Sequence, residues 1–125
     1  MSVLLDSDIV IEVLRARDEA LLAQWAALGE SQSSILITPV TIAEVETGAF
    51  AAEMEAVSRF FAPVVCVVID SRIGRLAGEQ LRRYGKSHGL KMADALIAAS
   101  AIGCEAALWT RNRKHYPMPE LSFYV

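Results

Sequence analysis

What this chain of 125 residues has little of is informative. It holds only two cysteines, Cys66 in an apolar run and Cys104 after Gly103, with neither the density of a secreted disulfide scaffold nor metal-ligand spacing. Both read as small buried hydrophobes. Long apolar runs are also missing. The longest stretch without Asp, Glu, Lys or Arg, residues 31 to 43, is too short for a membrane span of about 20 residues. The opening MSVLLDSD lacks a basic lead and carries an acid at position 6, which argues against a cleavable secretion signal and for the cytosol. There is no repeat, linker or low-complexity tract, and with 54% hydrophobic residues the composition excludes disorder and collagen-like repetition. Residues 1–125 are expected to form one domain with its own core.

Basic residues are scarce in the first part of the chain. Residues 1 to 55 hold ten acids and two bases, and residues 56 to 125 hold five acids and ten bases, around a net charge of -3. Such asymmetry suits an acidic, cation-binding cluster with a basic rim tolerant of phosphate, and solvated helix faces produce the same count. Short runs rich in β-branched residues at 2 to 6, 34 to 38, 63 to 69, 106 to 110 and 122 to 125 read as strands. Helical patterns lie between them. Residues 8 to 28 hold two, with Leu21, Leu22, Trp25 and Leu28 as an apolar stripe, and 39 to 61 hold another pair after Thr38-Pro39. Asp70 suits the N-cap of a helix with Ile73, Leu76, Ala77, Leu81 and Tyr84 on one face, and residues 91 to 102 form a last helix ending at Gly103. Alternating strands and helices imply an α/β/α sandwich around a mainly parallel sheet. Ligands of such sheets gather beyond the carboxyl ends of the strands, where Asp6, Asp8, Asp70 and Thr110 are expected.

Three acids need a reason. Asp94 is the only charge in MADALIAASAIGC (92 to 104), and a buried carboxylate stays ionised only with a metal ion, a basic partner or the N-terminal end of its own helix. Glu44 lies in TPVTIAEVETGAF, where Thr41 and Glu44 match a capping box, whereas Thr38-Pro39 is itself a good helix start that would place Glu44 beyond the box position. Glu46, far around that helix, is expected to face solvent. Leu4-Leu5-Asp6-Ser7-Asp8 ends a strand with two acids, a place where carboxylates bind Mg²⁺. Asp6 is the preferred ligand there, and Asp8 the helix cap or a supporting neighbour.

In order along the chain, LLDSDIVIEVLR, TPVTIAEVETGA, GLKMADALIAASAI and LWTRNRKHY resemble the successive motifs of the PIN-domain ribonucleases, and among them the VapC-type toxins of toxin-antitoxin pairs. The resemblance spans essentially the whole chain. It implies metal-binding acids at Asp6, Glu44 and Asp94, an active-site hydroxyl at Thr110 and a fourth polar position at Asn112. Many relatives carry Asp at that fourth position; neutral Asn112 adds no charge for a second ion. His115 likewise stands where many relatives have an acid, and it and His88 are read as surface histidines. The resemblance further implies Mg²⁺ (or Mn²⁺) as cofactor, cleavage of single-stranded RNA to leave a 5′-phosphate, a homodimer, and a VapB-type antitoxin in a groove beside the site. Ile11, Trp25, Phe50, Met54 and Phe61 could line that groove or belong to the core. Arg111, Arg113 and Lys114 are candidate phosphate anchors, and Arg72, Arg75, Arg82, Arg83 and Lys86 a solvated face.

Three rivals remain. The Asp-x-Asp opening also resembles haloacid-dehalogenase-type phosphatases, with Asp6 as nucleophile, although a later Lys and acidic pair are missing. A phosphoreceiver domain would use Asp70 and leave Asp94 without a task. A non-catalytic PIN-like RNA binder would bind RNA without cutting it.

Overall fold

Side-chain alternation along β1 (Ser2–Leu5) organises the molecule. In the computed structural model, which describes residues 1–125, Val3 and Leu5 enter one apolar cluster and Leu4 another, all fully buried. A strand that is apolar on both faces needs cover on both sides. The chain supplies it with α1 (Ser7–Arg15), α2 (Glu19–Glu30), β2 (Ser34–Ile37), α3 (Pro39–Gly48), α4 (Met54–Phe61), β3 (Val65–Cys66), α5 (Ser71–His88), α6 (Met92–Gly103) and β4 (Ala107–Trp109). The four strands run parallel in the order β3-β2-β1-β4. Helices α1 to α4 bury Ile9, Leu21, Leu28, Val45 and Val57 against Val3, Leu5, Ile37 and Trp109. Helices α5 and α6 bury Ile73, Ala77, Ile97, Ala98 and Ala101 against Leu4, Leu36 and Leu108. This is the expected three-layer α/β/α sandwich, and no helix is long and apolar enough to cross a membrane.

Local chemistry sets the helix starts. Asp18 and Asp70 accept from the backbone N–H of Leu21 and Ile73, and Thr38 accepts from that of Thr41 with Pro39 in the first turn. Glu44 therefore lies beyond any capping-box position. Small residues let α6 approach α5 closely: a Cβ on Gly103 would stand 2.5 Å from Ile73 Cδ1.

Three expectations require correction. Within 63 to 69 only Val65–Cys66 pairs, and both residues are exposed, because β3 is the edge of the sheet and meets a neighbour on one side only. A β-branched run says that a segment fits a pleated surface, without saying how much covers it. Cys66 and Cys104 are both exposed rather than buried. Residues 122 to 125 form no strand; they contribute one parallel bridge, Leu108 to Phe123.

Candidate active site

Asp6 follows β1 directly, Thr110 follows β4 directly, and the Asp6 N–H donates to the Trp109 carbonyl at 3.0 Å, so both residues leave the same carboxyl edge of the sheet. Asp6 is only 7% exposed, and both of its carboxylate oxygens accept hydrogen bonds. Its Oδ1 accepts from Ser7 N at 2.8 Å; its Oδ2 accepts from Thr110 Oγ1 and from the Tyr116 hydroxyl, each at 2.8 Å. The same Tyr116 hydroxyl reaches Asp94 Oδ1 at 3.3 Å, across from the first turn of α6. From α3, Glu44 Oε1 accepts from Ser7 Oγ at 2.5 Å. Tyr116 thus joins Asp6 to Asp94, and Ser7 joins Asp6 to Glu44. Burial, and then the Asp6 charge, push the Asp94 carboxyl above its ordinary value; Glu44 adds to the effect, while His115 and the Tyr116 hydroxyl oppose it.

A supporting cluster sits behind these acids. Asp8 Oδ2 accepts from Arg111 N at 2.9 Å and Asn112 Nδ2 at 3.1 Å, and Asn112 N donates to Thr110 Oγ1 at 3.0 Å. Asn112 therefore braces Thr110 and Asp8. Burial and the Asp6 charge raise the Asp8 carboxyl to about 6, and its buried Oδ1 has no hydrogen-bond partner. The cap of α1 is Asp6 rather than Asp8, because the helix begins at Ser7, two residues earlier than a cap at Asp8 would set it.

The basic residues after β4 divide by use. Arg111 pairs with Glu12 and Asp18 at 3.6 and 3.7 Å, and Arg113 lies 4.9 Å over the Phe123 ring, so both are committed within the chain. His115, read from sequence as a surface residue, stands with Nδ1 3.9 Å from Asp94 Oδ2. Asp70, the acid a phosphoreceiver would use, caps α5 by accepting from Ile73 N at 3.0 Å. Tyr116 and Ser7 went unassigned in the sequence. Tyr116 lies after Thr110 in LWTRNRKHY, and nothing local in that segment shows that its hydroxyl meets distant acids.

The grouped donors are hard oxygens, and their negative charge is met by hydroxyl and amide donors, with Arg111 held elsewhere. That donor chemistry suits a hard divalent cation. As they stand, no three Asp, Glu, His or Cys side chains are close enough together to hold an ion, so Asp6, Glu44 and Asp94 would have to draw in around it.

A family model described as PIN domain matches residues 3–121. Ribonuclease VapC19 of Mycobacterium tuberculosis (strain ATCC 25618 / H37Rv) is 37% identical over 122 residues, covering 94% of this chain and 95% of that protein. Ribonuclease VapC10 of the same strain is 35% identical over 123 residues, covering 94% and 88%. Among solved structures, VapBC2 from Rickettsia felis, bound to a DNA fragment from its promoter, shares the fold with a TM-score of 0.83 at 23% identity, covering 99% of this chain and 98% of that one. The order of strands, the acids at the carboxyl edge and this similarity along nearly the full length agree: the chain belongs to the PIN-domain family, beside the VapC ribonucleases.

Proposed function

We propose that this protein is a Mg²⁺- or Mn²⁺-dependent endoribonuclease that cuts single-stranded RNA and acts as the toxin of a toxin-antitoxin pair. The observation that carries the reading is the meeting of Asp6 and Asp94 on one hydroxyl, with Glu44 tied to the same group through Ser7. Relatives named ribonuclease that match 94% of the chain supply the reaction class. Residues 1–125 would work as one domain, in the cytosol and as a homodimer.

Asp6, Glu44 and Asp94 would hold the ion. When bound, it lowers the pKa of a neighbouring water and offsets charge on the scissile phosphate. The Thr110 and Tyr116 hydroxyls fix Asp6 Oδ2, and Ser7 aims Glu44, so the acids are oriented before RNA arrives. A free oxygen of Glu44 or Asp94 accepts the proton of the attacking water. Attack of that water at phosphorus would break the bond to the 3′ oxygen, which takes a proton from solvent and departs as a 3′-hydroxyl, leaving a 5′-phosphate. Half-exposed His115, beside Asp94, and exposed Lys114 next to it in the chain would meet RNA phosphates, a contribution that salt weakens.

An antitoxin fits the opening between α1, α3 and α4. A cavity of about 380 Å³ there is lined by Ile11, Leu14, Val45, Phe50 and Val57, with Phe50 77% exposed. Of the five apolar candidates, Ile11 and Phe50 line this cavity, whereas Trp25 stacks on Phe60 at 5.2 Å. In the phosphatase alternative one Asp6 oxygen would attack phosphorus, whereas here each of the two oxygens already accepts at least one hydrogen bond.

The test is incubation of purified protein with structured and unstructured RNA in Mg²⁺, Mn²⁺ or EDTA. Cleavage of the unstructured RNA with either ion, and none in EDTA, is expected. RNA binding that survives EDTA without scission would establish the non-catalytic binder, and phosphate trapped on Asp6 would revive the phosphatase.

A further inference from the structure

Tyr116 satisfies two requirements at once. Its ring belongs to the apolar cluster under α5 and α6, and at 3% exposure a phenylalanine would serve that packing equally well. Its hydroxyl needs a separate explanation. It follows the short 3₁₀ turn Arg113–His115, where its N–H donates to the Arg113 carbonyl at 2.9 Å, and this places the oxygen between two carboxylates carried by different elements. The distances are 2.8 Å to Asp6 Oδ2 and 3.3 Å to Asp94 Oδ1. A phenol has one proton, so the bond is three-centred and weighted toward Asp6.

We infer that Tyr116 is a positioning residue whose hydroxyl sets the spacing and orientation of Asp6 and Asp94 for a divalent cation. This rests on the metal-dependent reading above. Two like charges this close turn away from one another unless a donor holds both. An ionised carboxylate has about four acceptor sites, and the three donors on Asp6 leave one of them, on Oδ1, for an ion. Donors that fix metal-ligating groups typically account for about 10–100-fold in metal affinity.

The experiment titrates Mn²⁺ into the wild-type chain and Tyr116→Phe, following free Mn²⁺ by electron paramagnetic resonance. Melting of both in EDTA and the Mn²⁺ dependence of RNA cleavage are measured alongside. Expected for Tyr116→Phe is a Mn²⁺ dissociation constant raised about 10–100-fold, with the Mn²⁺ concentration for half-maximal cleavage raised by a similar factor. Cleavage at saturating Mn²⁺ should stay within about threefold, since the ligands themselves remain. An unchanged Mn²⁺ affinity beside a lowered melting temperature, or a variant that fails to fold, assigns the hydroxyl to structure and overturns the inference alone. A wild-type chain that binds no Mn²⁺ overturns both this inference and the metal-dependent function.

Discussion

The two ends of α6 differ sharply in what surrounds them. Its first turn carries Asp94 into a group of like charges, with the carboxyl raised by burial and by Asp6. Its remainder is neutral and tightly packed: Ala95, Ile97, Ala98, Ala99 and Ala101 are fully buried, and Gly103 lies against Ile73. One helix thus holds electrostatic repulsion at one end by means of close packing along the rest. The lesson is that stability and chemistry separate by position along a single element, so substitutions at the two ends should fail in different ways.

The largest effect on stability is expected from Ile97→Ala, which opens a hole in the packed end. Urea denaturation should show a loss of about 2–5 kcal/mol, with Mn²⁺ affinity of the folded fraction unchanged. At the charged end, Asp94→Asn should reduce metal-dependent cleavage at least about 100-fold, roughly 2.7 kcal/mol of barrier, while melting in EDTA stays level or rises because repulsion is relieved. Full cleavage activity in Asp94→Asn would break the comparison. Gly103→Ala should lower stability by about 1–3 kcal/mol, because the new methyl meets a buried Ile73 side chain with little room to shift.

The smallest effect is one of pH. The Asp8 carboxyl lies at about 6 in the folded chain against 3.8 for the ordinary group, so between these values the folded state holds a proton that the unfolded state has released. Stability in EDTA should therefore fall as pH rises from about 4 to about 6 and then level off, by about 1–2 kcal/mol once solvent screening is allowed for. Asp8→Asn should flatten that slope in melts recorded across the range.

The same two ends explain how much was legible in the sequence. Asp94 stood out because a lone acid in an Ala-, Leu- and Ile-rich helix has few physical justifications, and Asp6 because an acid ending an apolar strand arrives at the carboxyl edge. Both are sequence-local signals, and the structure places both residues at one end of the sheet. The helix starts at Thr38-Pro39 and Asp70 were readable for the same reason. Cover was not readable. The 63 to 69 run reads as a strand throughout, yet only Val65–Cys66 pairs, because the order of strands is decided by long-range packing. Nor was the second use of Tyr116, whose ring obeys the apolar pattern while its hydroxyl answers to Asp6 and Asp94, residues far away in the chain.

The most direct test of the central claim is anomalous diffraction from crystals grown with Mn²⁺. The account expects one Mn²⁺ peak bounded by the carboxylates of Asp6, Glu44 and Asp94, and its loss in Asp6→Asn. A fully bound ion elsewhere, or no peak among these three acids at saturating Mn²⁺, would contradict it.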